Sequence, residues 1–196
     1  MKSLHISIIL CLVWTSFTFG QEKEKPKQER VVSTIDSTDS SGLVLIQEFT
    51  VDAPIDAVWE AYTTKQGWES WAVPFAEVNL KVGGVIKTNY SKTAAIDDST
   101  TIVTHIINYV PKKLITLQAK ITDNFSEFMK QEADDFYNVI YLDEVESGKT
   151  NVKSYGIGYK NTPKYLSLME YFIPANEMTL LNLIAYLEEG TKIKHE

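Results

Sequence analysis

Leu43-Val-Leu-Ile-Gln-Glu-Phe-Thr-Val51, then Asp52-Ala-Pro54, then Ile55-Asp-Ala-Val-Trp-Glu-Ala-Tyr62 holds the change of period that decides the fold. In the first segment Leu43, Leu45, Gln47, Phe49 and Val51 share one phase of a two-residue repeat, which predicts a strand. Asp52-Ala-Pro54 stops it. Pro54 suits the first turn of a helix, and Ile55, Val58, Trp59 and Tyr62 follow at helical spacing. Gly67 predicts the end of that helix. Trp68 and Trp71, three apart, predict a second short turn or helix before Pro74.

Downstream the period returns to two. Val78, Leu80 and Val82 alternate with Glu77, Asn79 and Lys81, and Gly83-Gly84 marks a hairpin. A three-residue turn pairing Val82 with Ile86 is expected, because it keeps Ile86, Thr88 and Tyr90 on the apolar face. Strands are expected over Thr101–Val110 and Leu114–Thr122. In the first, both Ile102/Thr104/Ile106 and Val103/His105/Ile107/Tyr109 qualify as the inner set; in the second, Ile115, Leu117, Ala119 and Ile121 share a face. Asp123 to Asp135 is acidic and turn-like, with Phe125, Phe128 and Met129 at helical spacing. Tyr137–Val145 and Asn151–Tyr159 predict two more strands around Gly148. The segment Pro163–Glu189 predicts helix in two pieces, interrupted at Pro174 and stopped by Gly190. The order predicts an α+β chain: one strand, two short helices, a six-strand antiparallel meander, and a long C-terminal helix that covers a curved sheet.

Upstream, Lys2, the apolar run Ile6–Trp14 and Thr18-Phe19-Gly20 predict a cleaved secretory signal over residues 1–20, too short to span a membrane as a helix. Leu10 before Cys11 argues against a lipoprotein. Cleavage removes Cys11 and Trp14, so the exported chain, periplasmic or secreted, has no thiol. Residues 21–42 hold only Val31, Val32 and Ile35 as apolar side chains and predict a solvated tether. The domain is expected over 43–190, with 191–196 as a tail. Across 196 residues, 44% hydrophobic and 11% aromatic content marks a folded chain, and a net charge of −7 argues against nucleic acid or anionic lipid as partner. Histidines at 5, 105 and 195 are too scattered for a zinc site. Glu132, Asp134 and Asp135 lack the spacing of a calcium loop. Neither metal nor cofactor is expected.

The motifs Val51-Asp-Ala-Pro54 with Val58-Trp59, Gly67-Trp68 with Trp71, Val82-Gly-Gly84, Tyr109-Val-Pro111 with Leu114, and the ending Phe172, Asn176, Leu180, Leu183, Leu187 carry a resemblance. The chain resembles the helix-grip superfamily of START-like lipid-transfer domains, polyketide cyclases and the birch-pollen allergen. Within it, the likeness is to the branch named after the activator of the ninety-kilodalton heat-shock protein ATPase. The resemblance covers residues 43–190. It implies a curved antiparallel sheet wrapped around the long C-terminal helix, with an apolar cavity between them that often holds a small hydrophobic ligand. It carries over no catalytic residue.

Candidate ligand-binding residues are Trp59, Trp68 and Trp71, whose indoles can wall a cavity and whose N–H groups can orient a polar end. Tyr90, His105, Tyr141 and Tyr155 are polar-tipped strand residues, and Leu183 and Leu187 lie on the long helix. Phe125, Phe128 and Met129 are candidates for a lid over the cavity mouth. The functional expectation is an exported domain that binds a small hydrophobic or amphipathic molecule, without stable membrane insertion once the signal is cleaved. The contrasting readings are a cyclase- or hydrolase-like enzyme with His105 or a buried tyrosine carrying the proton, and a protein-interaction module using residues 21–42 or the outer sheet face.

Overall fold

Each change of period in the sequence becomes a change of element. The computed structural model describes residues 29–40, 42–93, 95, 97–121, 127–132 and 135–193. Strands β1 (Val32–Asp36) and β2 (Gly42–Val51) lead into helices α1 (Ile55–Thr63) and α2 (Lys65–Trp71). Strands β3 (Phe75–Val78), β4 (Val85–Asn89), β5 (Ile102–Val110) and β6 (Leu114–Ala119) follow. The short helix α3 (Glu127–Glu132), strands β7 (Tyr137–Glu146) and β8 (Lys149–Lys160), and the long helix α4 (Pro163–Glu189) complete the chain. The eight strands form one antiparallel sheet in the order β1-β2-β8-β7-β6-β5-β4-β3. Helices α1 and α2 therefore carry the chain across the full width of the sheet, from β2 to the far edge, and the meander returns. Among the described residues no helix is long and apolar enough to cross a membrane.

Alternation in β2 buries Leu43, Leu45, Gln47, Phe49 and Val51, all on the face toward α4. The main core packs this face and its neighbours, including Ile106, Ile115, Leu142 and Val152, against Val58 and Trp59 of α1, Trp71 of α2, and Leu180, Leu183 and Ile184 of α4. A second apolar cluster of Leu43, Leu45, Tyr165 and Met169 lies under the first half of α4. Between the two clusters runs a polar chain. The buried Gln47 Nε2 donates to Ser33 Oγ at 3.0 Å, Asn176 Nδ2 donates to Gln47 Oε1 at 3.1 Å, and Ser33 Oγ donates to Glu177 Oε1 at 2.6 Å.

Several expectations change. The second half of the expected tether is structured: β1 pairs with β2, Ser33 joins the Gln47 chain, and Val31 is buried in the main core. The expectations for residues 1–20 lie outside the described residues. The break between the first two helices falls at Thr64, whose hydroxyl accepts from Gly67 N, and Gly67 lies inside α2. A Cβ on Gly67 would sit 2.5 Å from the Glu60 carbonyl oxygen and 2.6 Å from Ala61 Cα, so glycine lets α2 close onto the end of α1. The hairpin is wider than expected. Val78, not Val82, pairs with Ile86, and Val82 is 66% exposed. Gly83 and Gly84 instead exchange hydrogen bonds with Ile106 on β5, and a Cβ on Gly84 would meet the Asn79 carbonyl at 2.0 Å.

Helix α4 runs unbroken through Pro174. An interior proline removes one backbone hydrogen bond and costs about 3 kcal/mol in an isolated helix. Here Met169 before it and Leu183 after it are fully buried, and Asn176 and Glu177 are hydrogen-bonded to β2 and β1, so packing holds both halves in line. The two readings of β5 are also reconciled. A bulge between Ile106 and Asn108 shifts the register, so Ile106 faces the core before it and Tyr109 packs against the core after it.

Among the described residues, one buried side-chain polar atom lacks a partner, the Tyr62 hydroxyl. Burial raises its ionisation far above the ordinary tyrosine range. An unpartnered buried hydroxyl costs about 1–3 kcal/mol. Tyr62→Phe is therefore expected to be at least as stable as the parent, by up to about 1 kcal/mol, as read from the urea midpoint at constant m-value; a loss of 1 kcal/mol or more would contradict this.

Candidate functional site

The aromatic helices owe their arrangement to helix-end chemistry. The last carbonyls of a helix have no partner inside it. In α1 they are met from outside: Trp71 Nε1 donates to Ala61 O at 2.9 Å, Trp68 Nε1 donates to Tyr62 O at 2.8 Å, and Thr64 caps onto Glu60 O. The two indoles stack with centroids 5.0 Å apart, and Tyr62 meets Trp71 edge-on at 5.5 Å. Their N–H groups are thus committed to the backbone. What Trp68 offers is its ring, and it lines a cleft of about 340 Å³.

The floor of this cleft is the inner face of β5 to β8. Register places Gly156, Asn138 and Leu117 in one cross-strand row, with Ala119 paired to Thr104 beside it. A bulge in β8 matches Leu43 with Tyr159 and Leu45 with Gly156, so an extra residue brings Tyr159 to the inner face. Ser154 Oγ donates to Asn138 Oδ1 at 2.8 Å. Met129 of α3, Phe136 and Phe172 of α4 complete the apolar wall. Gly156 leaves room: a Cβ there would make ordinary contact, 3.4 Å from Leu45 Cβ and from Tyr159 Cε2.

Helix α3 is fastened over this end of the molecule by one carboxylate. Glu132 Oε2 accepts from Lys160 Nζ and from the Tyr165 hydroxyl, both at 2.5 Å. Phe128 meets Tyr165 edge-on at 5.0 Å, with Lys164 Nζ 3.8 Å above the Phe128 ring. Phe136 stacks on Tyr159 at 4.7 Å. The Lys160 ammonium and the Tyr165 hydroxyl hold the Glu132 carboxyl below its ordinary range.

The sequence candidates separate cleanly. Trp68 and Met129 line the cleft, and Phe128 anchors α3 beside it. Phe125 lies outside the described residues. Trp59 and Trp71 are in the main core, Trp59 against Tyr109 at 6.0 Å; Leu183 is fully buried there and Leu187 packs on it, so neither borders the cleft. Tyr90 is 69% exposed beyond the end of β4. His105, between the inward Thr104 and Ile106, points to the outer face, paired with Val85 and Gln118. Tyr141 alternates with the buried Ile140 and Leu142, faces outward, and has Lys113 Nζ 4.8 Å over its ring. Tyr155 faces outward between Ile46 and Val139. Strand parity turns His105, Tyr141 and Tyr155 away from the cleft, and Tyr90 stands outside the sheet.

The cleft residues missed as site candidates in the sequence include Thr104, Phe136, Asn138, Ser154, Gly156, Tyr159 and Phe172. Asn138 is in phase with Ile140 and Leu142, and Ser154 and Gly156 with Val152; that phase was the available signal. A second depression of about 450 Å³ borders Asp36, Asp39, Asp135 and Lys160 outside β2 and β8, with no tryptophan or phenylalanine in its wall. Among the described residues no group of three or more His, Cys, Asp or Glu could hold a metal ion.

The sequence profile of the family described as Activator of Hsp90 ATPase homolog 1-like protein matches residues 52–188. No curated protein matches the chain. Among solved structures it is similar to the conserved protein of unknown function EF2215 from Enterococcus faecalis, at 15% identity over 84% of this chain and 81% of that one, with a TM-score of 0.57. It is similar to the Aha1 dimer from Colwellia psychrerythraea, at 18% identity over 75% of this chain and 97% of that one, with a TM-score of 0.56. CalU16 from Micromonospora echinospora matches at 16% identity over 80% of this chain and 81% of that one, with a TM-score of 0.56. At these identities the likeness is one of fold.

The fastening of α3 depends on pH with a definite sign. A carboxyl whose folded pKa lies below its unfolded value stabilises the folded arrangement above the ordinary range and loses that contribution as pH falls through the depressed value. Protection of residues 127–132 in hydrogen exchange should therefore drop as the pH falls below the ordinary glutamate range and Glu132 protonates. Glu132→Gln should lower that protection several-fold at pH 7 and flatten its acid dependence. Unchanged protection in the variant would show that Glu132 does not hold the helix.

Proposed function

We propose, for a chain that belongs to the family of Activator of Hsp90 ATPase homolog 1-like proteins, that it binds a small hydrophobic molecule in the cleft between the sheet and the first half of α4. One observation carries this reading. The interior under the second half of α4 is filled by the main core, whereas under the first half a space of about 340 Å³ stays open against Trp68, Phe136, Phe172 and Met129. That volume lies at the lower end of the range for small-molecule sites, and such sites are mostly apolar with a few polar groups. Covering roughly 250 Å² of apolar ligand surface at about 25 cal/mol per Å² gives a gross gain of about 6 kcal/mol, before the loss of free translation and rotation.

Binding is favoured over proton-transfer chemistry by what the cleft contains. Among the described residues its lining has no histidine, carboxylate or lysine, and the Tyr159 hydroxyl is raised by burial. A general acid or base works best with a pKa near the operating pH, and His105 faces the other side of the sheet. Export is part of the same proposal. It is supported by the composition of residues 1–20, with Lys2, the apolar run and Thr18-Phe19-Gly20 before Gln21.

Native mass spectrometry of the full chain expressed in its own host tests both parts. The expected protein mass begins at Gln21 and carries an excess that leaves on denaturation. Gly156→Leu, which projects into the cleft from a position with room for a Cβ, should lose the excess while unfolding at an unchanged temperature. An excess that persists in that variant would move the ligand elsewhere.

A further inference from the structure

We infer that the cleft selects uncharged, oxygen-bearing hydrophobes and rejects carboxylates and ammonium compounds of the same size; this rests on the cleft being the ligand site. Two observations carry it. The first is the absence of charge from the lining among the described residues. Two cations at this end of the molecule are already engaged, Lys160 on Glu132 and Lys164 over the Phe128 ring. An anion entering the cleft would give up part of its hydration and, among the described lining residues, face no cation. Among the described lining residues an ammonium group would find no carboxylate. Burying an unpaired charge in this way is far costlier than burying a neutral polar group.

The second observation is the set of donors left without a protein acceptor. Asn138 is exposed at the rim of the cleft, where its carbonyl oxygen accepts from Ser154 and, among the described residues, nothing accepts from its amide N–H groups. The Thr104 and Tyr159 hydroxyls likewise have no hydrogen-bond partner among the described residues while bordering an otherwise apolar space. Burial raises Tyr159 above its ordinary range, so it stays protonated and able to donate at neutral pH. Donors without acceptors specify a ligand with acceptors: a ketone, ester, ether or hydroxyl oxygen. Thr104 on β5 and Asn138 on β7 are separated by β6, two strand spacings or about 10 Å, with Leu117 and Ala119 between them. An oxygen at one end of a flat apolar body meets one of these points, and an oxygen at each end meets both.

The test uses the full chain at pH 7.5 with N-phenyl-1-naphthylamine as fluorescent reporter. Its competitors are three naphthalenes of matched shape: 2-acetylnaphthalene, 2-isopropylnaphthalene and naphthalene-2-carboxylate. The ketone should displace the reporter at a concentration at least tenfold below the carboxylate and about threefold below the hydrocarbon. Thr104→Val combined with Asn138→Leu should erase the preference for ketone over hydrocarbon while the hydrocarbon still binds. A carboxylate within threefold of the ketone overturns the inference and leaves the cleft as a ligand site. Failure of the reporter to bind, or equal binding to Gly156→Leu, overturns the cleft itself and the inference with it.

Discussion

Gln47 is the one polar side chain in the inward phase of β2, and its burial constrains much of the molecule. Each end of a buried amide left without a partner costs about 1–3 kcal/mol, a large fraction of a domain's margin. Here both of its ends are met, the amine by Ser33 on β1 and the carbonyl by Asn176 on α4. Those two bonds fix how far α4 has slid along the sheet and attach β1 as its edge strand. They also divide the interior. Toward Gly190 the helix lies on close-packed aliphatic residues; toward Pro163 it lies on aromatic rings that do not fill the space beneath them. The open cleft follows from where the amide chain crosses.

The tryptophans show how a conspicuous sequence feature can serve two ends at once. The indole N–H groups satisfy the carbonyls at the end of α1, which lets a sharp helix–helix joint at Thr64 be buried without orphaned backbone. Gly67 makes the joint sterically feasible. Once both N–H groups are committed, the Trp68 ring is the part left facing the cleft. A polar ligand end must then be recognised by the strands, where the unspent donors are.

Element order, the α+β class and the helix-covered sheet were legible because they depend on periodicity and on stop residues, both of which are local. What was not legible depends on pairing. The strand β1 looks polar, and it forms because β2 presents a free edge and Gln47 needs Ser33. Pro174 reads as a break, and packing on both sides overrides it. The bulges at Ile106/Asn108 and in β8 reverse which residues face inward, and neither alternate reading of β5 could be correct over the whole strand. Chemistry alone assigns no face to His105, Tyr141 and Tyr155, which turn outward, and Tyr90, expected on the apolar face with Ile86 and Thr88, stands exposed beyond the end of β4. The groups that do face the cleft, Asn138, Ser154 and Gly156, are small and unremarkable as letters; they matter because they share a phase with Ile140 and Val152.

The salt bridge from Arg30 to Glu188, at 2.7 Å, has a geometric corollary. It pins the chain's entry into the domain to the last turn of α4. Phe172 borders the cleft sixteen residues earlier on the same helix, about 24 Å away along the helix axis at 1.5 Å per residue. Arg30 therefore joins the domain at the end of α4 remote from the cleft. The Arg30 contact and the cleft thus occupy opposite ends of one helix, so neither obstructs the other.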